Sequence, residues 1–338
     1  MTGGATTLVT IAGLEHAISR ALEAAGTSQA NAQSVARALT AAEADGQKGH
    51  GLSRVPGYAA QVRVGKVEGA AVPLATLVRP GTLRIDAAHG FAFPALDLSV
   101  KELPALAAKQ GIAAAGLFRS HHAGALGLVA ERLAAAGQVA LMFANTPAAM
   151  APLGGRRALL GTNPIAFAAP RRDGPPLVID LALSEVARAK VVAAAQRDEV
   201  IPLGWAVDAG GRPTTDANAA LKGTLLPAGG AKGAALALMV EVLAVALTGA
   251  NFADEASSFL DDQGAPPGTG QLIIAIDPGA FGPKEPFIDR LAGIASAIEG
   301  EPGARIPGAR RLALREAARR DGVTVDTRLL AEVRALGG

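Results

Sequence analysis

Apolar residues recur at helical spacing near the start of the chain: Leu14, Ala17, Ile18, Ala21, Leu22 and Ala25, with Gly26 following as a stop. Ser28 is placed to cap a second helix whose inner face carries Val35, Leu39 and Ala42. Gly46, Gly49 and Gly51 break the periodicity. Val55, Tyr58, Ala59 and Val62 restore it as a third helix, leaving His50 and Arg54 in the connecting loop. From about Thr82 the apolar runs shorten to strand length, at residues 82–85, 112–118, 139–144, 165–169, 177–180 and 271–277. Helical patterns separate some of them, at 95–109 and 124–136, and helices return at 286–298 and 310–321. This order predicts an α/β (α+β) protein. Its expected division is an N-terminal helical region, 1–75, joined by C-terminal helices, 285–338, and an α/β core, 76–284, with a helical subdomain inserted near 185–255.

Composition narrows the chemistry. Half of the 338 residues are hydrophobic, and the formal net charge is only +2, which argues against a nucleic-acid partner. The absence of cysteine excludes disulfides, thiolate metal sites and cysteine nucleophiles. The stretch 234–247 is the most apolar, yet it is shorter than the roughly 20 residues of a membrane span and contains Glu241, so it reads as a buried helix. The start, MTGGATTLVTIAG, lacks the basic residues and long apolar core of a signal peptide, and a cytoplasmic protein is expected. No strand leads into a G-x-G-x-x-G turn, so a dinucleotide would have to bind outside the Rossmann architecture.

A few residues suit chemistry. His50 precedes Arg54 by four residues in KGHGLSRVPGY, pairing a titratable imidazole with a guanidinium able to hold a carboxylate. A turn histidine beside a surface arginine is the plain alternative. Ser120-His121-His122 ends a predicted strand and leads into a helix start, where ligands commonly sit. No third ligand at metal-like spacing accompanies the pair, so no metal is expected. Gly161-Thr162-Asn163-Pro164 forms a polar turn before a strand, Asp180 ends the run LVID, and Gly229-Gly230-Ala231-Lys232-Gly233 opens the apolar helix as an anion cradle.

Taken in order, HGLSRVPGY, RSHHAGALG, PLGGRRALLGTNPIAFAAP, VIDLALS, GGRPTTD, PAGGAKGAALALMVEVLAVALTG, GQLIIAIDPG and RIPGARR resemble the malate/L-lactate dehydrogenase family that lacks a Rossmann fold. The match spans nearly the whole chain. The half from LLPAGGAKG to RIPGARR looks most like the Δ1-piperideine-2-carboxylate/Δ1-pyrroline-2-carboxylate reductase branch.

The resemblance implies a largely antiparallel sheet, a homodimer, NADPH as cofactor with NADH as the alternative, and a small carboxylate as substrate. It implies that His50 is the acid/base, that Arg54 and Thr162 hold the substrate, and that His121 matches the proton acceptor of the ureidoglycolate branch. The implied cofactor contacts are His122, Ala123, Gly124, Ala125 and Leu126; Asp180, Leu181 and Ala182; Ala231 and Lys232; and Arg305, Ile306, Pro307, Gly308, Ala309, Arg310 and Arg311.

The imine-reductase branch carries a serine before the catalytic histidine and a relay aspartate further on, where this chain has Gly49 and Lys190. Lys190 at that place suits a charge-stabilising role on a carbonyl oxygen, which favours a keto acid. The resemblance of the second half is long and the lysine is one residue, so the expected function is reduction of a small cyclic α-imino acid. A malate- or L-lactate-type dehydrogenase is the first alternative and a non-catalytic cofactor-binding protein the second.

Overall fold

The computed structural model describes residues 5–338. Residues 1–4, where the expected N-terminal helical region begins, lie outside the described residues. The chain opens with β1 (Thr6–Val9), followed by α1 (Ile11–Ala24), α2 (Gln29–Ala44) and α3 (Val55–Arg63). Thr10 caps α1, its hydroxyl accepting from the Gly13 N–H at 3.0 Å. Ser28 occupies the N-cap position of α2 as expected, but its hydroxyl makes no capping bond. Its N–H donates instead to Gly69 O.

Next come β2 (Leu74–Arg79), β3 (Thr82–Asp86), α4 (Ala92–Gln110), β4 (Ile112–Ser120), α5 (Leu126–Ala135), β5 (Val139–Ala144), β6 (Ile165–Ala169) and β7 (Leu177–Leu181). With β10 (Thr269–Ile276) the strands make one seven-stranded sheet in the order β2-β3-β4-β10-β5-β6-β7. Every neighbouring pair is antiparallel except β3 and β4. The fold class is thus the α/β (α+β) one anticipated, with a largely antiparallel sheet.

Small buried residues explain how helices approach this sheet closely. Ala113 and Ala115 of β4, Ala140 of β5 and Ala166 and Ala168 of β6 are all buried. The helices α4 and α5 pack on these strands, and each alanine lets a helix settle against the backbone without a cavity.

Between β7 and β10 lie α6 (Arg188–Gln196), the short pair β8 (Ala206–Val207) and β9 (Thr224–Leu225), α7 (Ala217–Lys222) and α8 (Ala231–Glu241), which continues as a π-helical turn over Val242–Ala246. A second apolar cluster forms here, with Leu183, Val191, Ile201, Ala220, Leu225 and Val240 among its members.

The stretch 234–247 corrects the sequence reading. It is helical, but only one side is buried, through Ala234, Ala237, Val240, Ala244 and Val245. Leu236, Leu238 (57 % exposed), Met239, Val242 and Leu247 face outward. A helix apolar on every side carries no amphipathic signal, so the pattern could not show that one face lacks a partner within the chain.

The chain closes with α9 (Lys284–Glu299), α10 (Ala309–Asp321), β11 (Val323–Asp326) and α11 (Thr327–Leu336). β11 pairs antiparallel with β1, Thr6 opposite Asp326 and Val9 opposite Val323. α11 packs on α1, and α10 on α2, so both ends of the chain build one helical layer.

Candidate active site

His50 ends a 3₁₀ turn, Lys48–His50, that leaves α2 and re-enters α3. Glu43 of α2 holds this turn from within, its carboxylate accepting the Leu52 N–H at 2.8 Å. Gly51 is required there, because a Cβ would stand 2.1 Å from a Glu43 carboxylate oxygen. Arg54 and Tyr58 follow His50 at four-residue steps and so share a face of the turn and helix.

From the other side, β4 delivers His121 and His122 at its end. The rings of His50 and His122 stack, centroids 5.2 Å apart at an interplanar angle of 15°. Tyr58, fully buried, places its hydroxyl 2.6 Å from His122 Nδ1. The phenol has no other hydrogen-bond partner among the described residues, and burial raises its pKa. When it donates to Nδ1, the His122 proton sits on Nε2.

The electrostatics keep all three imidazoles neutral. Burial, and then the nearby Arg54 guanidinium, lowers the pKa of His50 to about 4. Burial, Lys66 and Arg54 lower that of His121 to about 3. His122 is also held well below the ordinary range, by burial first and then by Arg54 and the other two histidines. Arg54 donates from Nε to Gly49 O at 2.6 Å. Its two terminal nitrogens make no hydrogen bond among the described residues, leaving a guanidinium fork for a carboxylate.

These shifts have a measurable consequence for stability. An unfolded histidine titrates near 6.5, so below that pH the unfolded chain takes up protons that the folded site refuses. Stability is therefore fully present above about pH 6.5 and falls as pH drops towards 4. Each refused proton contributes about 1.4 kcal/mol per pH unit. Denaturant melts between pH 7 and 4.5 should show this steep loss, and replacing His121 by phenylalanine should flatten it. An equally steep profile in that variant would remove His121 from the set.

The remaining residues singled out in the sequence are more dispersed. Thr162 lies in the turn before β6, where its N–H donates to Thr146 Oγ1 at 2.9 Å. The next residue, Asn163, is fully buried and ties this turn to α8 through Ala237 O and Glu241. Asp180 accepts the Gly127 N–H at 2.8 Å and so caps α5, which has no side-chain cap of its own. Asp180 is reachable by water yet sits among protein atoms, and that partial desolvation raises its carboxyl pKa.

Arg305, Arg310 and Lys232 are exposed. Arg311 is not free in the same way: its Nη1 donates to Asp45 at 3.0 Å and to Glu131 at 2.8 Å. Arg315 completes this cluster with bonds of 2.7–2.9 Å to the same two carboxylates. Lys190 stands exposed in the first turn of α6, and none of the charges acting on the three histidines comes from it.

A cleft of about 1190 Å³ runs between α1, α2, α4, α5 and α10 and ends at His50 and residues 123–125. Asp180, Lys232 and Arg311 lie outside its lining. Sequence reasoning left Tyr58 as an ordinary helix residue, although it is the chain's one tyrosine and falls four residues after Arg54. Lys66 and Phe259 carry no local signal, because Lys66 meets the Phe259 loop only through contacts 192–197 residues apart in sequence.

Comparison with known proteins places the whole chain in one family. The family model of the malate/L-lactate dehydrogenases matches residues 9–334. The chain belongs to that family. It is an oxidoreductase, as the sequence resemblance implied. It is similar to a (2R)-3-sulfolactate dehydrogenase (NADP(+)) of Chromohalobacter salexigens, 48 % identical over 93 % of each chain. It is also similar to a Δ1-pyrroline-2-carboxylate/Δ1-piperideine-2-carboxylate reductase of Pseudomonas aeruginosa, 44 % identical over 91 % of this chain and 93 % of the relative. Among solved structures, a Δ1-piperideine-2-carboxylate reductase from Pseudomonas syringae superposes with a TM-score of 0.92 at 38 % identity, covering 98 % of this chain and 99 % of that one.

Proposed function

We propose that this enzyme is an NADPH-dependent reductase of a small cyclic α-imino acid, acting in the cytoplasm as a homodimer. The observation that carries the reading is the pairing of a neutral, poorly solvated His50 with Arg54, whose terminal nitrogens are free. That pair suits a substrate with a carboxylate next to an atom that must gain a proton.

A carboxylate bound by Arg54 cancels one of the two causes that lower the pKa of His50. The imidazole then becomes able to carry a proton and pass it to the substrate nitrogen. The reduced nicotinamide, when bound, supplies a hydride to the neighbouring carbon, so that C=N becomes CH–NH with one hydride and one proton. Stacking on His122, itself fixed by Tyr58, keeps the His50 ring oriented.

The described residues fit a phosphate-bearing cofactor. α8 starts without a side-chain cap. Gly229 and Gly230 leave open space before α8 where a Cβ would stand, and Lys232, Arg305 and Arg310 offer exposed positive charge. We assign the cofactor to these residues, to His122 and the following 123–126, and to Asp180, Leu181 and Ala182.

Lys190 is exposed on α6 and is not among the charges that act on the three histidines, which supports the imine over a keto acid. The outward apolar face of Leu238, Met239 and Val242 supports the dimer. No described helix is long and apolar enough to cross a membrane.

A 2-hydroxyacid dehydrogenase is the second reading, favoured by the 48 % identity to a sulfolactate dehydrogenase. A substrate panel decides between them: Δ1-piperideine-2-carboxylate, Δ1-pyrroline-2-carboxylate, pyruvate, oxaloacetate and 3-sulfopyruvate, each with NADPH and with NADH. The cyclic imines should give the highest kcat/KM, by about tenfold or more (roughly 1.4 kcal/mol), and with NADPH. Efficient reduction of oxaloacetate or sulfopyruvate with negligible turnover of both imines would overturn the proposal.

A further inference from the structure

We propose that Phe259 is a specificity-determining residue that closes the substrate pocket over the two adjacent histidines, and that the buried ammonium of Lys66 sets its position. The inference rests on the imine-reductase reading above. Residues 251–268, between the π-helical turn and β10, form a long loop without helix or strand. Such loops are uncommon in compact domains and usually carry function.

This one is pinned from beneath. The Lys66 side chain has no exposed surface. Its Nζ donates to Ser258 O at 2.7 Å, Asp261 O at 3.0 Å, Gln263 O at 2.6 Å and the Asp261 carboxylate at 3.3 Å. Gln61 adds Nε2 bonds to Phe259 O at 3.2 Å and Asp261 O at 2.8 Å. Burying an ammonium costs several kcal/mol unless acceptors replace its water. Here the acceptors are almost all loop carbonyls, so the lysine acts as a fixed cationic centre around which the loop folds.

The anchored loop puts the Phe259 ring 5.2 Å from both the His121 and the His122 ring centroids. His121 is 1 % exposed, and neither of its ring nitrogens has a hydrogen-bond partner. A neutral imidazole needs one donor and one acceptor partner, and leaving either unmade in a buried site is destabilising. A substrate nitrogen or carboxylate oxygen beside His121 would satisfy one of them. Phe259 packs against the same imidazole with an apolar ring.

The methylenes of a cyclic imine can rest on this ring. A sulfonate or second carboxylate resting on that ring would lose its water and gain no hydrogen bond from the ring itself. Phe259 would therefore select for an apolar substrate body, and Lys66 would hold the selector in place.

The test compares substrates within one enzyme. In Phe259→Ala, the ratio of kcat/KM for Δ1-piperideine-2-carboxylate to that for pyruvate should fall by about tenfold. In Phe259→Leu, which keeps an apolar wall, the fall should be smaller. Lys66→Met should raise KM for the imine more than it lowers kcat, and Lys66→Arg should recover part of that loss. Should Lys66→Met fail to fold, the Phe259 pair still decides the question. A ratio unchanged in Phe259→Ala, with the fold intact by near-UV circular dichroism, would overturn the proposal.

A wild type that reduces neither imine would instead refute the functional reading. Phe259 is then tested on pyruvate against oxaloacetate, where Phe259→Ala should shift the ratio towards the dicarboxylate. No shift there overturns the proposal too.

Discussion

Turnover of the His50→Ala enzyme should fall by about 10²–10⁴-fold, the usual contribution of a positioned general acid, while cofactor affinity stays near that of wild type. The expectation follows from position. His50 lies at the end of the cleft, stacked on His122 and beside the one guanidinium of the site with free terminal nitrogens. No neighbour is placed to take over its proton. His122 commits Nδ1 to Tyr58, and His121 is pushed even further from protonation than His50. Steady-state kinetics and calorimetric titration of NADPH separate the two effects. Turnover within about threefold of wild type, roughly 0.7 kcal/mol of barrier, would remove His50 from the mechanism.

The second large effect is expected far from the reacting atoms. Arg315→Met should destabilise the protein by about 3–5 kcal/mol, because removing one partner from a buried ion cluster strands the charges that remain. The Asp45 side chain has no exposed surface, and Arg315 contacts both Asp45 and Glu131 through paired nitrogens. Arg311 alone cannot satisfy two carboxylates through its single bonding nitrogen. Urea unfolding with an unchanged m-value would report the loss. A change below about 1 kcal/mol would place these pairs in the class of solvent-screened surface bridges. Asp45 also ends α2 directly before the His50 turn, so KM should rise in the same variant.

Much of the architecture was legible because periodicity is a local property. The runs at 139–144 and 165–169 coincide with β5 and β6, and the strand predicted at 112–118 extends only to Ser120. The histidine motifs were legible for the same reason, since HGLSRVPGY and RSHHAGALG each carry their own spacing. What escaped was everything decided by distant partners. β1 and β11 are four-residue strands that exist only by pairing with each other.

Arg311 stood among implied cofactor contacts, and nothing near it in sequence announces Asp45, 266 residues away, as the partner of one of its nitrogens. Lys66 looks like any surface lysine until the loop at 258–263 folds over it. Phe259 gains its meaning only when β10 brings that loop beside β4.

The pairing of β1 with β11 also governs the order in which this protein can be made. The turn bearing His50 leans on α2, α2 is fastened by α10, and the layer is closed by strands that pair Val9 with Val323 and Thr6 with Asp326. Closing so long a loop is entropically slow, and contacts of this separation delay folding. During synthesis the seven-stranded sheet has all its strands once residue 276 has emerged, whereas the helical layer waits for β11. The layer that carries the His50 turn is therefore complete only with β11, which follows every strand of the seven-stranded sheet along the chain.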